Sequence, residues 1–333
     1  MDPLTQGTLG AALPQSFSRQ VHTGAAGLLG FLAGMAPDLD VLIRSAEDPL
    51  LFLEYHRQFT HSLVFIPLGG AICALVLHGL LGRRRGLAFH QTWLFCTLGY
   101  ATHALLDACT TYGTMLLWPF SDQRFAWNTI SIIDPLLTLP LLLAVVLAWA
   151  LRKPGIARVG LVWALCYLGF GLYQRDAAVQ MGRELALSRG HTAHGLEAKP
   201  SFGNVLLWKT VYADGDRYYV DAVRVTWRPK VYPGDSVLKL DLERDMPWLE
   251  ANSQQALDVE RFRWFSNDYV ALDPEHPNRV IDIRYSMLPN EIDPLWSIEL
   301  SPNAGRWDHV EYVMSRDGGP ERAAILWQML TSP

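Results

Sequence analysis

Charge is scarce in the first half of this chain. Residues 1–173 hold 10 Lys+Arg and 9 Asp+Glu, whereas residues 174–333 hold 18 and 24. A segment that poor in charge suits a bilayer, and the richer half suits water. No basic cluster offsets the net charge of −5, so nucleic acid is not an expected partner. Cysteine is equally sparse: Cys73, Cys96, Cys109 and Cys166 all lie in the apolar half without zinc-type pairing, and residues 174–333 have none. The second half therefore needs no disulfide and is compatible with either side of a membrane. No G-x-S-x-G elbow, P-loop or H-E-x-x-H motif occurs, which removes the signatures of serine hydrolases, NTPases and zincin proteases. The start, MDPLTQGTLG, has no basic region ahead of an apolar core and does not read as a cleaved signal peptide.

Long apolar runs are abundant. Residues 4–13 form a short one ended by Pro14, and Val21–Ala36 a Gly- and Ala-rich one stopped by Pro37. Leu63–Leu81, Trp93–Ala108, Ile132–Leu151 and Ile156–Tyr173 follow. The expected architecture is a polytopic α-helical membrane domain of four to five spans over residues 1–173. A helical linker over 174–200 and a small soluble α+β domain over 201–333 complete it. In the last part, Leu206–Ala213 and Arg217–Thr226 alternate and meet at Asp214-Gly215, a hairpin signal. Pro247–Phe265 reads as an amphipathic helix, and Arg279–Met287, Trp296–Leu300 and His309–Ser315 as short strands. Arg83–Arg85 and Arg152, Lys153 and Arg158 mark two cytoplasmic loops by the excess of Lys and Arg. Residues 37–62, 109–131 and everything after Tyr173 then face outward, so the C-terminal domain is expected to be extracytoplasmic.

The residues able to carry chemistry collect at that outer face. Asp38 and Asp40 follow Pro37, and an extended loop would aim both into one cavity; the plainer reading is a polar helix end. His56 and His61 flank RQFT at the head of the second long run, where Thr60 is a candidate N-cap; alone, each reads as an interfacial histidine. His103 and Asp107 stand four residues apart in an apolar helix and share a face, which favours a functional site over a hydrogen-bonded staple. Asp134 heads SIIDP, where capping the following helix explains it almost as well as catalysis. A mixed nitrogen and oxygen donor set points to a divalent metal: zinc first, manganese or iron as alternatives, one ion or two. A carboxylate or His56 not bound to metal would take a proton, so His56 and Asp134 are the candidate catalytic groups, and Asp38, Asp40, His61, His103 and Asp107 the candidate ligands.

The segments MDPLTQGTLGAAL, AGMAPDLDVLI, HRQFTHSL, GYATHALLDACTTYGT and WNTISIIDPLLTLPLL together resemble the family of predicted membrane-bound, metal-dependent hydrolases, the YdjM-like inner-membrane proteins. The match runs over about residues 1–150. The resemblance implies a bacterial inner-membrane protein with a hydrolase site. It carries metal-binding roles onto Asp38, Asp40, His61, His103 and Asp107, with His56 as a neighbour. Members often have His after the N-terminal Thr, where this chain has Gln6. Membrane lipids and a small-molecule or lipid-linked substrate are the expected partners. The rival expectation is a non-catalytic membrane protein whose polar cluster is a structural metal site or a staple, with a partner-binding soluble domain.

Overall fold

The computed structural model describes residues 1–315 and 319–332. The chain divides into two units: Met1–Ile43 with Tyr55–Tyr173 and Phe202–Asn204, and Arg44–Glu54 with Gln174–Ser201 and Val205–Pro333.

The first unit is helical. Helix α1 (Pro3–Phe17) starts on Asp2, whose side chain accepts from the Thr5 backbone N–H, and it continues through Pro14 to Phe17. The sequence reading ended this stretch at Pro14. Burial keeps it helical, because α1 is packed over most of its length and its small residues admit close neighbours. Helix α2 (Thr23–Met35) returns antiparallel to α1. A Cβ on Gly30 would lie 2.2 Å from the Gly10 carbonyl oxygen and 2.4 Å from Pro14 Cγ, and one on Gly99 would lie 2.4 Å from the Gly30 carbonyl. Only backbone fits at that crossing, the small-residue packing by which helices associate in lipid.

A 3₁₀ turn over Ala36–Leu42 follows, and then the short helix α3 (Leu51–Tyr55). Helix α4 (Ile66–Leu77) is entered through Ser62, whose hydroxyl accepts from the Phe65 N–H. The cap is therefore Ser62 and not Thr60, whose hydroxyl donates to Asp40 instead. Helices α5 (Phe89–Ala108), α6 (Pro135–Leu151) and α7 (Pro154–Ser188) complete the helical run. Gln20–Leu42, Leu63–Arg85 and Pro154–Ser188 are long and apolar enough to cross a membrane, and α6 is a shorter apolar helix. The expected fourth and fifth spans correspond to α6, which has only 17 residues, and to α5, which carries His90, Gln91, His103 and Asp107. Leu68, Ile72, Leu75 and Val76 on α4, and Val159, Val162 and Leu165 on α7, are exposed. Aliphatic faces of that kind suit lipid better than water.

The second unit takes the far end of α7 and then forms antiparallel sheets. Strands β1 (His194–Pro200), β2 (Leu207–Asp214), β3 (Arg217–Arg224), β4 (Lys230–Tyr232) and β5 (Ser236–Leu238) make one sheet, with β4 and β5 both paired to β3. The β2–β3 hairpin closes with Asp214 opposite Arg217, and Gly215 sits at φ 56° in the turn, a conformation that costs glycine little. After helices α8 (Leu242–Asp245) and α9 (Gln254–Phe265), a second sheet runs β6 (Val270–Leu272), β7 (Arg279–Asp282), β8 (Trp296–Glu299) and β9 (Glu311–Met314). Helix α10 (Gly319–Thr331) ends the described chain. Val211 and Val220 from the first sheet join Ala271 and Ile281 from the second in one apolar cluster. Residues 174–200 are thus not a bare linker, since β1 is a strand of the first sheet.

Candidate metal centre

Three elements of the first unit converge on one polar cluster. The 3₁₀ turn supplies Asp38 and Asp40, the stretch before α4 supplies His56, Arg57, Thr60 and His61, and the last turn of α5 supplies His103 and Asp107. In a 3₁₀ turn of three residues, side chains two apart diverge by roughly 120°. Asp38 and Asp40 accordingly approach His61 from different sides. Asp38 Oδ1 lies 3.6 Å from His61 Nε2, and Asp40 Oδ2 lies 3.1 Å from His61 Nδ1.

The hydrogen bonds behind the two buried imidazoles orient them. His103 Nδ1 is 2.6 Å from the Gly34 carbonyl oxygen, which only accepts, so Nδ1 carries the proton. Its Nε2 then presents a lone pair 3.2 Å from Asp38 Oδ1 and 3.7 Å from Asp107 Oδ2. His61 Nδ1 faces Asp40, and its Nε2 lies 3.3 Å from Asp107 Oδ2. A carbonyl or carboxylate behind one ring nitrogen is how metal-binding histidines are commonly held.

Asp40 is fully engaged. Its Oδ1 meets His56 Nδ1 at 2.7 Å, and its Oδ2 accepts from the Arg57 N–H at 3.0 Å and the Thr60 hydroxyl at 2.7 Å. Asp107 is gripped from behind as well. The amino nitrogen of Met1 lies 2.5 Å from Oδ1, the Gln6 amide donates to the same oxygen at 2.9 Å, and Arg57 Nε stands 2.9 Å from Oδ2.

Asp38, His61, His103 and Asp107 each offer one donor atom, all within 4.8 Å of one another; Asp38, Asp40 and His56 form a second such group. A metal ion fits this set on a separate observation. His61 Nε2, Asp107 Oδ2 and Gln6 Oε1 are buried without a hydrogen-bond partner, and orphaned buried polar atoms are costly unless something satisfies them. Burial opposes charge on His61, yet Asp107, Asp38 and Asp40 overcome it and push its pKa up to about 10. Three carboxylates around one imidazole thus call for positive charge. His56 is shifted the other way: burial lowers its pKa and the bond to Asp40 offsets this only in part.

The six residues Asp38, Asp40, His56, His61, His103 and Asp107 therefore come together. Asp134 lies apart from them as the N-cap of α6, where its carboxylate accepts from the Leu136 and Leu137 N–H groups and the Tyr167 hydroxyl. Arg57 and Gln6 are members of the cluster that sequence reasoning did not assign a role. Arg57 holds a left-handed backbone, φ 65°, uncommon for a side chain of its kind. That conformation turns its N–H onto Asp40, while its guanidinium reaches Asp107 and the Thr110 hydroxyl. Its place in the H-R-x-x-T-H run was the available signal.

A family model described as YdjM inner membrane protein matches residues 1–178, so the chain belongs to the YdjM inner membrane protein family. The chain is 38% identical over 107 residues to "Inner membrane protein YbcI" of Escherichia coli (strain K12), a match covering 31% of this chain and 60% of that protein. It is 27% identical over 159 residues to "Uncharacterized protein YfhP" of Bacillus subtilis (strain 168), covering 47% of each. The chain thus spans about half to three-fifths of the curated relatives it matches. No solved structure matches.

Proposed function

We propose that this YdjM-family membrane protein is a metal-dependent hydrolase, acting on a lipid-linked or phosphoester substrate at the outer face of the inner membrane. The observation that carries the reading is the paired imidazoles. His61 and His103 each have Nδ1 backed by an oxygen, leaving both Nε2 atoms beside the Asp38 and Asp107 carboxylates. Those four residues would hold a divalent cation, zinc first. When bound there, the cation polarises a substrate oxygen and lowers the pKa of a water from about 15.7 towards about 7. Asp40 acts one step back, orienting His61 and His56 together. With Nδ1 donating to Asp40, His56 keeps Nε2 free to accept a proton, and its lowered pKa leaves it neutral at pH 7. Arg57 holds Asp107 in place as an anion.

Five spans are proposed: Gln20–Leu42, Leu63–Arg85, α5, α6 and the first part of α7, with α1 packed among them. The substrate class rests on location, since the cluster sits at the ends of apolar helices where a headgroup would lie.

Metal content of the detergent-purified protein by plasma mass spectrometry is the test. Stoichiometric metal in the wild type, lost in folded His61→Ala and Asp107→Ala, supports the reading. A folded wild type that takes up no zinc, manganese or iron refutes it. That outcome would favour the polar staple, a reading that draws on how fully Asp40 is bonded within the protein. Lipid extracts of an Asp40→Ala strain address the substrate: if no species accumulates relative to wild type, the lipid-linked class fails.

A further inference from the structure

A second site lies at the opposite ends of the same helices. α1 and α2 meet there at their turn, and α4 and α6 finish there. They enclose a cavity of about 650 Å³ whose polar rim includes Gln20, Arg85 and Arg152. Its wall is apolar, from Leu28, Phe31, Leu142 and Val146, and no acidic residue lines it. Two features beyond shape point to a ligand. Gln15 lines the cavity and is buried, and its Oε1 has no hydrogen-bond partner although its amide donates to the Val145 carbonyl. Arg152 occupies the left-handed C-cap of α6, φ 53°, a position that glycine fills most easily. Gly27 makes room for the Gln15 side chain, since a Cβ there would lie 2.4 Å from its Nε2, and Gly24 likewise makes room for Trp149.

We propose that this cavity binds one anionic glycerophospholipid from the adjoining leaflet. The phosphate would sit between Arg85 and Arg152, a headgroup hydroxyl would donate to Gln15 Oε1, and an acyl chain would lie along Leu28, Phe31 and Val146. Charge complementarity selects the occupant: two guanidiniums without a lining carboxylate match a phosphate, and an apolar wall excludes a bare ion as the whole ligand. A choline headgroup carries no donor for Gln15 and adds a cation beside the arginines. This site shares no residue with the metal centre and stands or falls independently of it.

Native mass spectrometry of the full-length protein released from mixed phosphatidylglycerol–phosphatidylcholine nanodiscs tests it. One phosphatidylglycerol should be retained per chain, and Arg85→Gln/Arg152→Gln should lower retention about thirtyfold. Gln15→Leu should reduce the preference over phosphatidylcholine while the protein stays folded. Equal retention of both lipids by the wild type, or undiminished retention by the double variant, overturns the proposal. Glycerol phosphate competing as well as the lipid overturns it too, because the ligand would then be a soluble phosphate ester.

Discussion

At the scale of single residues, the sequence shows which groups are unusual but not which way they turn. Asp134 illustrates the limit. A carboxylate before Pro135 satisfies both a catalytic and a capping reading, and only the contacts to Leu136, Leu137 and the Tyr167 hydroxyl assign it to the helix end. Asp134→Ala should cost about 2 kcal/mol, combining a lost cap with a stranded Tyr167 hydroxyl. Detergent thermal denaturation would register this, while metal content stays at the wild-type level. A variant of wild-type stability that had lost its metal would return Asp134 to the site. His61, by contrast, was legible by type and spacing, yet its surroundings were not. Asp40 serves His56 and His61 at once only because the chain between them folds back, and no spacing rule announces that. Gln6 departs from the family pattern, and its place against Asp107 depends on α1 lying beside α5.

Elements were more legible than residues, because apolar runs and turn signals are local. Helices α2, α4, α5, α6 and α7 all lie within or around runs visible in the sequence. The β2–β3 hairpin follows from alternation and Asp214-Gly215. Misses occurred where tertiary contact overrides local chemistry. α1 carries Pro14 in its interior, and the short strands β4 to β6 are only three residues each. The α1–α2–α5 crossing makes the strongest prediction here. Gly30→Ala would force a Cβ to 2.2 Å from the Gly10 carbonyl, so a loss of about 3 kcal/mol is expected. Gly169→Ala, where nothing lies within 4 Å, should be neutral or slightly stabilising. Equal melting temperatures for the two variants would contradict the close packing. A second element-scale prediction concerns residues 44–54, which belong to the second unit although Asp40 and His56 flank them in the first. Arg261 binds Asp48, Glu54 and Asp258 there, and Phe52 packs edge-on against Tyr312. Burial works against the Asp48 carboxylate, but the Arg261 bonds more than offset it and hold its pKa below the usual 3.8. A depressed folded pKa stabilises above the unfolded value and is lost as pH falls through the folded one. Protease cleavage within 44–54 should therefore rise below about pH 4 and be high at every pH in Arg261→Ala. A cleavage rate in that variant matching wild type would show that the clamp does not hold the segment.

For the whole molecule, the distribution of charge along the helices orients the chain. Asp38, His61, Asp107 and Asp134 lie at one set of helix ends; Arg83–Arg85, Arg152 and Lys153 lie at the other. Arginine and lysine collect on the cytoplasmic side of inner-membrane proteins. Five crossings then carry Tyr173, and all that follows it, to the side of the metal centre. Alkaline phosphatase is active only outside the cytoplasm, so a fusion after Ser332 should be active and one inserted at Gly86 inactive. The reverse pattern would turn the cluster towards the cytoplasm and make a soluble cytoplasmic ester a better substrate than a lipid-linked one on the outer leaflet. Activity at neither or both positions would mean that one proposed span does not cross, and α5 is the first to doubt. It alone among the five carries an aspartate and a histidine on its buried face, and it must cross for His103 to meet His61 from the same side as Asp38.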